Sequence, residues 1–428
     1  MGSLRLAADA VVTCDATMTV HRPGAVEALD GRIVRVGPPL GDEQRLRGVL
    51  MPGLVNVHCH SPMTLFRGAA EEIPLHRFLR EVLWPREARL QPDDVYWGMT
   101  LACAELLRFG VTTTCEMYVH EEAILRAVCD AGTRCVLTPG VIEMPAWGMR
   151  WRPRLDEVLG FHDEHAGRYE TVEVGIAAHS AYALPLVALD ALAAAARERN
   201  ALVHLHLAET RDEGRELERA HGKSVPALLA ERGFLDGRTL AAHCVWLDDH
   251  ELELLRGHDV AVAHCPQSNA KLASGTARLT EMLRLGLRVG LGTDGPASNN
   301  DLDLWEELRL AALLARVQSG EAGAVPAATA LALATRGGAE ALGRADLGAL
   351  EPGRCADLIR VRTDDPAFVP LVDEHDLLSH LVWSASSRLV SDVWVGGRRV
   401  VDDGRCLTVD EERAQREVQQ RAAVLARS

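Results

Sequence analysis

Apolar runs of strand length alternate with helix-length stretches through the middle of the chain. Eight such runs can be read, at 54–58, 111–116, 135–141, 172–179, 201–207, 239–243, 260–264 and 288–294. Most are separated by stretches rich in Ala, Leu, Arg and Glu, such as 186–199 and 303–317, whose residues favour helix. Strands alternating with helices predict a parallel α/β fold. Eight βα units over about 290 residues predict a TIM-like (β/α)8 barrel. A doubly wound open sheet is the competing architecture, and it is weakened because no GxGxxG follows a strand-like run.

The two ends read differently. Runs 11–14 and 32–36 are strand-like and are set apart by the turn signals Pro23-Gly24 and Asp30-Gly31. Near the other end, 356–361 and 392–395 repeat that character, and Gly396-Gly397 predicts a hairpin turn before 398–401. Both termini are therefore expected to pair into one small β-sandwich. The Pro-Gly signals at Met51-Pro52-Gly53 and Glu351-Pro352-Gly353 mark its seams with the barrel. The expected divisions are residues 1–52 (first part of the sandwich), 53–348 (barrel) and 349–428 (second part of the sandwich and a C-terminal helix).

Composition narrows the function classes. The 428 residues carry 46 Lys+Arg against 61 Asp+Glu, a net charge of −15. There is no basic stripe, and the lysines are Lys223 and Lys271 alone. That balance argues against a nucleic-acid partner, because phosphate contacts need clustered cations. No run of about 18 apolar residues predicts a membrane span, and residues 1–10, interrupted by Arg5 and Asp9, do not read as a signal peptide. The ten cysteines are scattered and form no CxxC pair. Reduced thiols in a cytoplasmic protein are the simpler reading. A homo-oligomer is compatible with the sequence.

The chemistry sits at the ends of the apolar runs, where a barrel places its catalytic groups. These ends carry His58 and His60, Glu116, His179, His206 with Glu209, His243, His264 and Asp294. His58 and His60 are two apart on a strand, so both rings point to one face and can share a metal; two unrelated histidines are the other reading. His206 offers a third nitrogen. His204 has the same parity but lies roughly 6–7 Å deeper, and reads as a core histidine or one that braces a ligand. Asp294, between Gly292-Thr293 and Gly295, can complete a three-histidine, one-aspartate site suited to Zn²⁺ or another divalent ion, or can cap the next helix. Glu209 lies just past its strand, within reach of a substrate, or serves as a carboxylate favoured by a helix dipole. His243 can orient a metal-bound water, or be a core histidine.

Taken together, these segments resemble the amidohydrolase superfamily, in the branch of chlorohydrolases and nucleobase or nucleoside deaminases. The resemblance is carried by Met51-Pro52-Gly53 leading to His58-Cys59-His60, by His206-Leu207-Ala208-Glu209-Thr210, and by Ala242-His243-Cys244-Val245. The segments from His264-Cys265-Pro266 to Lys271-Leu272 and from Gly292-Thr293-Asp294-Gly295 to Asn299-Asn300 complete it. It spans essentially the whole chain. The nearest likeness is to S-adenosylhomocysteine/5′-methylthioadenosine deaminases, supported by residues 61–68, Glu116-Met117-Tyr118 and His179-Ser180-Ala181-Tyr182.

That resemblance implies His58, His60, His206 and Asp294 as metal ligands. It implies Glu87 as the carboxylate that holds the ribose hydroxyls, His179 and Glu209 as substrate contacts, and Arg154 as an arginine near the 5′ substituent. Many two-metal relatives use a carboxylated lysine on a mid-barrel strand. Both lysines here fall outside the strand runs, so one divalent ion per chain is expected, Zn²⁺ first, with Fe²⁺ or Mn²⁺ as alternatives. The chain departs from the family pattern at Pro139, where a second arginine would fall, at Phe78, where a tryptophan would fall, and in the segment from Trp147 to Trp151.

The implied reaction is hydrolytic deamination of an adenosine-like nucleoside. The metal lowers the pKa of water from about 15.7 toward 7, Asp294 accepts the water proton, His243 holds the water in line, and Glu209 protonates the ring nitrogen beside the attacked carbon. Candidate substrates are 5′-methylthioadenosine, S-adenosylhomocysteine, adenosine and 5′-deoxyadenosine. The competing reading is a deaminase or chlorohydrolase acting on a free ring of the guanine, cytosine, pterin or s-triazine type. Glu87 discriminates, since a ribose-binding carboxylate is useless to a bare ring. A non-catalytic scaffold is the remote alternative, and it would be expected to have lost ligands.

Overall fold

The computed structural model describes residues 2–69, 71–144 and 148–427. Of the segment singled out above, Trp147 lies outside the described residues, while Trp151 opens the helix Trp151–His165. The fold is α/β with parallel central sheets. Leu54–Cys59, Val111–Glu116, Arg134–Leu137 and Val172–Val174 form one four-stranded parallel sheet. Gly140–Val141, Ile176–Ser180, Val203–Leu207, Thr239–His243, Ala261–His264 and Val289–Leu291 form a parallel sheet of six. Most of their residues are buried, as expected of strands covered on both faces.

Two of the predicted runs are each split. The run 135–141 breaks at Thr138-Pro139, because proline has no N–H to give the ladder. The run 172–179 breaks at Gly175, where a side chain would meet the Leu202 carbonyl oxygen at 2.7 Å. The first and last strands meet through a parallel bridge between Cys59 and Asp294. The approach is close. A Cβ at Gly292 would lie 2.7 Å from that of His58, so glycine is what permits the contact.

Helices join these strands. Leu186–Arg199 forms as its composition predicts, and Leu304–Ser319 is capped by Asp303, whose carboxylate accepts from the Trp305 amide at 2.9 Å. Asp249–Gly257 opens with a reciprocal capping box between Asp248 and Glu251. Among the described residues no helix is long and apolar enough to cross a membrane.

The two ends of the chain interleave. A seven-stranded sheet runs in the order Arg405–Cys406, Arg398–Asp402, Val390–Val395, Leu358–Val361, Val49–Pro52, Ala10–Val12, Val20–His21. A four-stranded sheet has the order Arg32–Gly37, Gly24–Leu29, Ser3–Ala8, Gln44–Arg45. Leu6, Val26 and Ile33 of the smaller sheet share one buried cluster with Leu50, Leu358 and Trp394 of the larger. The hairpin at Gly396-Gly397 has both residues at positive φ, 55° and 74°, the turn that two glycines allow.

A buried ion pair ties this terminal β region to the central strands. Arg134 donates from Nε to Asp357 Oδ2 at 2.6 Å and from Nη2 to Oδ1 at 3.1 Å, and Oδ1 also accepts from the Gly396 amide at 2.7 Å. Asp357→Ala leaves a guanidinium, 2% exposed, without its partner. The expected cost is about 3–5 kcal/mol, read as a lowered midpoint of chemical denaturation; an unchanged midpoint would refute this role.

Candidate metal centre and active site

The strand ends bring four predicted residues together. One ligand atom each from His58, His60, His206 and Asp294 lie within 4.8 Å of one another, and all four residues are buried. Asp294 Oδ1 is 3.4 Å from His58 Nε2 and 3.2 Å from His60 Nε2, while His60 Nε2 and His206 Nε2 are 3.2 Å apart.

The outward hydrogen bonds decide which ring nitrogens carry protons. His60 Nδ1 donates to the Met117 carbonyl at 2.5 Å and His206 Nδ1 to the His179 carbonyl at 2.7 Å. The His58 tautomer is set by His204. Thr138 Oγ1 gives its proton to the Glu116 carbonyl at 2.8 Å, so it must accept from His204 Nδ1 at 3.1 Å. Neutral His204 then accepts at Nε2 from His58 Nδ1, at 2.9 Å. All three ligand candidates thus present an unprotonated Nε2 to one point, and His58 Nε2 is buried with no hydrogen-bond partner. Facing lone pairs repel, and a cation between them removes the repulsion, so the donor set fits a divalent metal.

Electrostatics agree. Burial lowers His58 to about 4 against the opposing Asp294 carboxylate, and burial with the neighbouring imidazoles holds His206 and His204 well below the ordinary histidine range. Burial also pulls His60 down, but Asp294 outweighs it and leaves His60 raised. Burial pushes Asp294 up, yet its contacts with His58 and His60 hold it well below the usual carboxylate range. Its other oxygen, Oδ2, accepts from Ser268 Oγ at 2.6 Å and Ser298 Oγ at 2.7 Å, which fixes Oδ1 toward the histidines.

The remaining candidates surround this group. His243 Nδ1 donates to Asn269 Oδ1 at 2.9 Å, leaving Nε2 bare and 3.8 Å from Glu209 Oε2. Burial raises Glu209 to about 8, the Asp294 charge adds to this, and His60 opposes it. Glu209 is thereby pushed toward its neutral form, the form a proton donor needs. Its backbone is pinned by Glu213, whose carboxylate accepts from the amides of Ala208 at 3.0 Å and Glu209 at 2.6 Å. Ala208, His243 and Asp294 all adopt left-handed backbone (φ 52°, 73° and 59°), strain of a kind that clusters at functional sites.

One cavity opens onto His60, His206, Glu209, His243 and Asp294, and His179 and Glu87 line it too. Its remaining wall is largely apolar. Phe78 occupies it at the position predicted to depart from tryptophan, and Trp84 stands edge-on to the His179 ring at 6.4 Å. Arg154 does not line this cavity; it lines an adjoining one. His264, buried with Nδ1 unpartnered, is not part of the metal group.

Thr138, Glu213, Ser268, Asn269 and Ser298 were not singled out from the sequence. Ser268, Asn269 and Ser298 stand inside the segments that carry the resemblance. Glu213 and Thr138 act on backbone or through a second histidine, and no spacing signals that.

The Amidohydrolase family profile matches residues 49–400, and the chain belongs to that family. It is 40% identical over 432 residues to the 5-methylthioadenosine/S-adenosylhomocysteine deaminase of Pelotomaculum thermopropionicum, covering 99% of this chain and 98% of that one. It is 40% identical over 403 residues to the 5′-deoxyadenosine deaminase of Methanothermobacter thermautotrophicus, with 91% and 92% covered. Among solved structures, a zinc-bound adenosine deaminase from Xanthomonas campestris superposes with a TM-score of 0.94 at 33% identity, covering 99% of this chain and 98% of the other.

Two variants separate ligation from bracing. Asp294→Ala is expected to lose both bound metal and activity, measured by elemental analysis and ammonia release; retention of both would overturn its place in the group. His204→Phe keeps the four ligand candidates but removes the acceptor that sets the His58 tautomer. Metal affinity, measured by chelator competition, is expected to fall about 10–100-fold.

Proposed function

We propose that this chain is a hydrolytic deaminase of adenosine-like nucleosides that replaces the exocyclic amine of the base and releases ammonia. One observation carries the reading: a neutral buried carboxyl, Glu209, shares a cavity with three convergent bare imidazole nitrogens and an ionised aspartate. The activities named for the relatives above support it. His58, His60, His206 and Asp294 would hold one divalent ion, and the nitrogen-rich tetrad favours Zn²⁺. Such an ion supplies a hydroxide nucleophile at neutral pH.

The chain's own groups do the rest. His243, bare at Nε2, accepts a hydrogen bond from the attacking water and keeps it in line. Asp294 takes its proton at Oδ1 while Ser268 and Ser298 hold Oδ2. Glu209 gives its proton to the ring nitrogen beside the attacked carbon, so that negative charge does not accumulate there. The proton later passes to the departing amine, and water and substrate leave as the hydroxylated (keto) base and ammonia. Glu87, half-buried on the cavity wall, accepts from the ribose hydroxyls, and His179 contacts the base. Burial raises Glu87, and the nearby Tyr118 hydroxyl opposes that rise. A ribose contact at this position favours nucleosides over free rings.

The same reading includes the architecture. We infer that the two parallel sheets close through the Cys59–Asp294 bridge into a (β/α)8 barrel spanning 53–348. Residues 1–52 and 349–428 would then form the β-sandwich beside it, with the helix Glu411–Leu425 at its end.

The test is ammonia release from adenosine, 5′-deoxyadenosine, 5′-methylthioadenosine, S-adenosylhomocysteine, guanine and cytosine. Turnover of the nucleosides and not of the free bases is expected; a free base as the best substrate would overturn the reading. Glu209→Gln should keep the metal and lose about 10²–10⁴-fold in kcat. Because neutral Glu209 is the active form, kcat/KM should hold below its pKa and fall as pH rises through it. A bound cation lowers that pKa from about 8, so the falling limb lies at or below about pH 8. An unchanged rate in Glu209→Gln would remove this residue from the mechanism.

A further inference from the structure

The active cavity continues into a second one, and the two share Glu87, Val119, Gly140, Ile142 and Met149 in their walls. A group projecting past Glu87 from a nucleoside held in the active cavity would enter this outer chamber. Two arginines line it, and each is paired with a carboxylate. Arg154 donates from Nη1 and Nη2 to the two carboxylate oxygens of Glu121, at 3.0 and 2.8 Å. Nη1 also reaches Glu157 Oε2 at 3.3 Å, and Nε donates to the Gly140 carbonyl at 3.0 Å. Four of its five N–H bonds are thereby used. The pair is well sheltered, with the Arg154 side chain 17% exposed and that of Glu121 10%. Arg150 is bonded to Glu143 at 3.3 Å. Against these two arginines the chamber wall carries Glu121, Glu122 and Glu157. The wall toward the base is apolar, with Ile142, Met144 and Met149.

We propose that this chain selects adenosines whose 5′ substituent is uncharged, of the short alkyl or thioether kind, and disfavours those bearing a carboxylate there, with the Glu121–Arg154 pair as the specificity determinant. The proposal rests on the nucleoside-deaminase reading. A carboxylate entering the chamber must either approach a wall that carries Glu121, Glu122 and Glu157 or displace Glu121 from Arg154. The second course leaves a sheltered carboxylate unpaired, which is costly. Rejection therefore comes from a cation already claimed by the protein, an unfavourable element built against one class of ligand. A thioether or alkyl group packs against Ile142, Met144 and Met149 and pays neither penalty.

The experiment uses the metal-loaded full chain and three substrates of equal reach: S-adenosylhomocysteine, its methyl ester and 5′-butylthioadenosine. The ester keeps the amine and removes only the negative charge. Its kcat/KM and that of the butylthio compound are expected to exceed that of S-adenosylhomocysteine by about tenfold or more, on the scale of one charge-assisted hydrogen bond. Glu121→Gln frees Arg154. It should raise kcat/KM for S-adenosylhomocysteine by about tenfold, mainly through KM, and leave the butylthio compound within about threefold. Should that variant not fold, the comparison of the three substrates on the natural chain still decides. Turnover of S-adenosylhomocysteine as fast as its ester, or a folded variant with unchanged selectivity, overturns the proposal. Failure of every adenosine to release ammonia would instead overturn the functional reading beneath it.

Discussion

Three imidazole nitrogens without protons and one carboxylate oxygen converge on a single buried point, and the surrounding structure is organised to keep them so. Each histidine spends its Nδ1 proton outward, His60 and His206 on backbone carbonyls and His58 on His204. A protein interior does not ordinarily leave lone pairs 3.2 Å apart with nothing between them, because nothing there offsets their repulsion. Only a cation makes the arrangement favourable. The left-handed backbone at Asp294 and the glycine at 292 serve that convergence, since they bring the last strand against the first.

The same burial that holds the histidines neutral acts oppositely on two carboxyl groups a short distance apart. Asp294, facing His58 and His60, stays ionised; Glu209, buried and facing the Asp294 charge, is pushed toward its protonated form. Two acids with the same intrinsic chemistry are driven to opposite roles by their neighbours, the pattern by which a site runs acid and base chemistry at one pH. By holding the amides of Ala208 and Glu209, Glu213 sets where the Glu209 carboxyl stands.

Much of this was legible in the sequence because it depends on local order. Titratable residues at the ends of apolar runs mark strand ends, and a two-residue spacing puts His58 and His60 on one face whatever the wider fold. The hairpin at Gly396-Gly397 and the helix Leu186–Arg199 were legible for the same reason. What sequence order could not reveal is chemistry made by distant partners. Thr138 sets a tautomer through a histidine 66 residues away, and Ser268 and Ser298 orient a carboxylate from two separate segments. The breaks at Pro139 and Gly175 were hidden inside apolar runs, where the hydrophobic pattern continues although the strand is interrupted.

Arg154 shows the limit most clearly. As a residue type near the substrate it reads as an anion receptor, and the resemblance assigns it that role. Its partner Glu121 lies 33 residues earlier, on another helix, and converts the same guanidinium into a closed ion pair. A charged side chain binds ligand only with the valence its own neighbours leave unused. The metal group is carried by the ends of buried strands and is rigidly specified. The chamber beyond Glu87 is walled by helices and connecting segments, where one carboxylate can redirect selectivity without disturbing a ligand. Chemistry and substrate choice are therefore separable in this fold, and a family likeness that identifies the first leaves the second to be read from side-chain pairing.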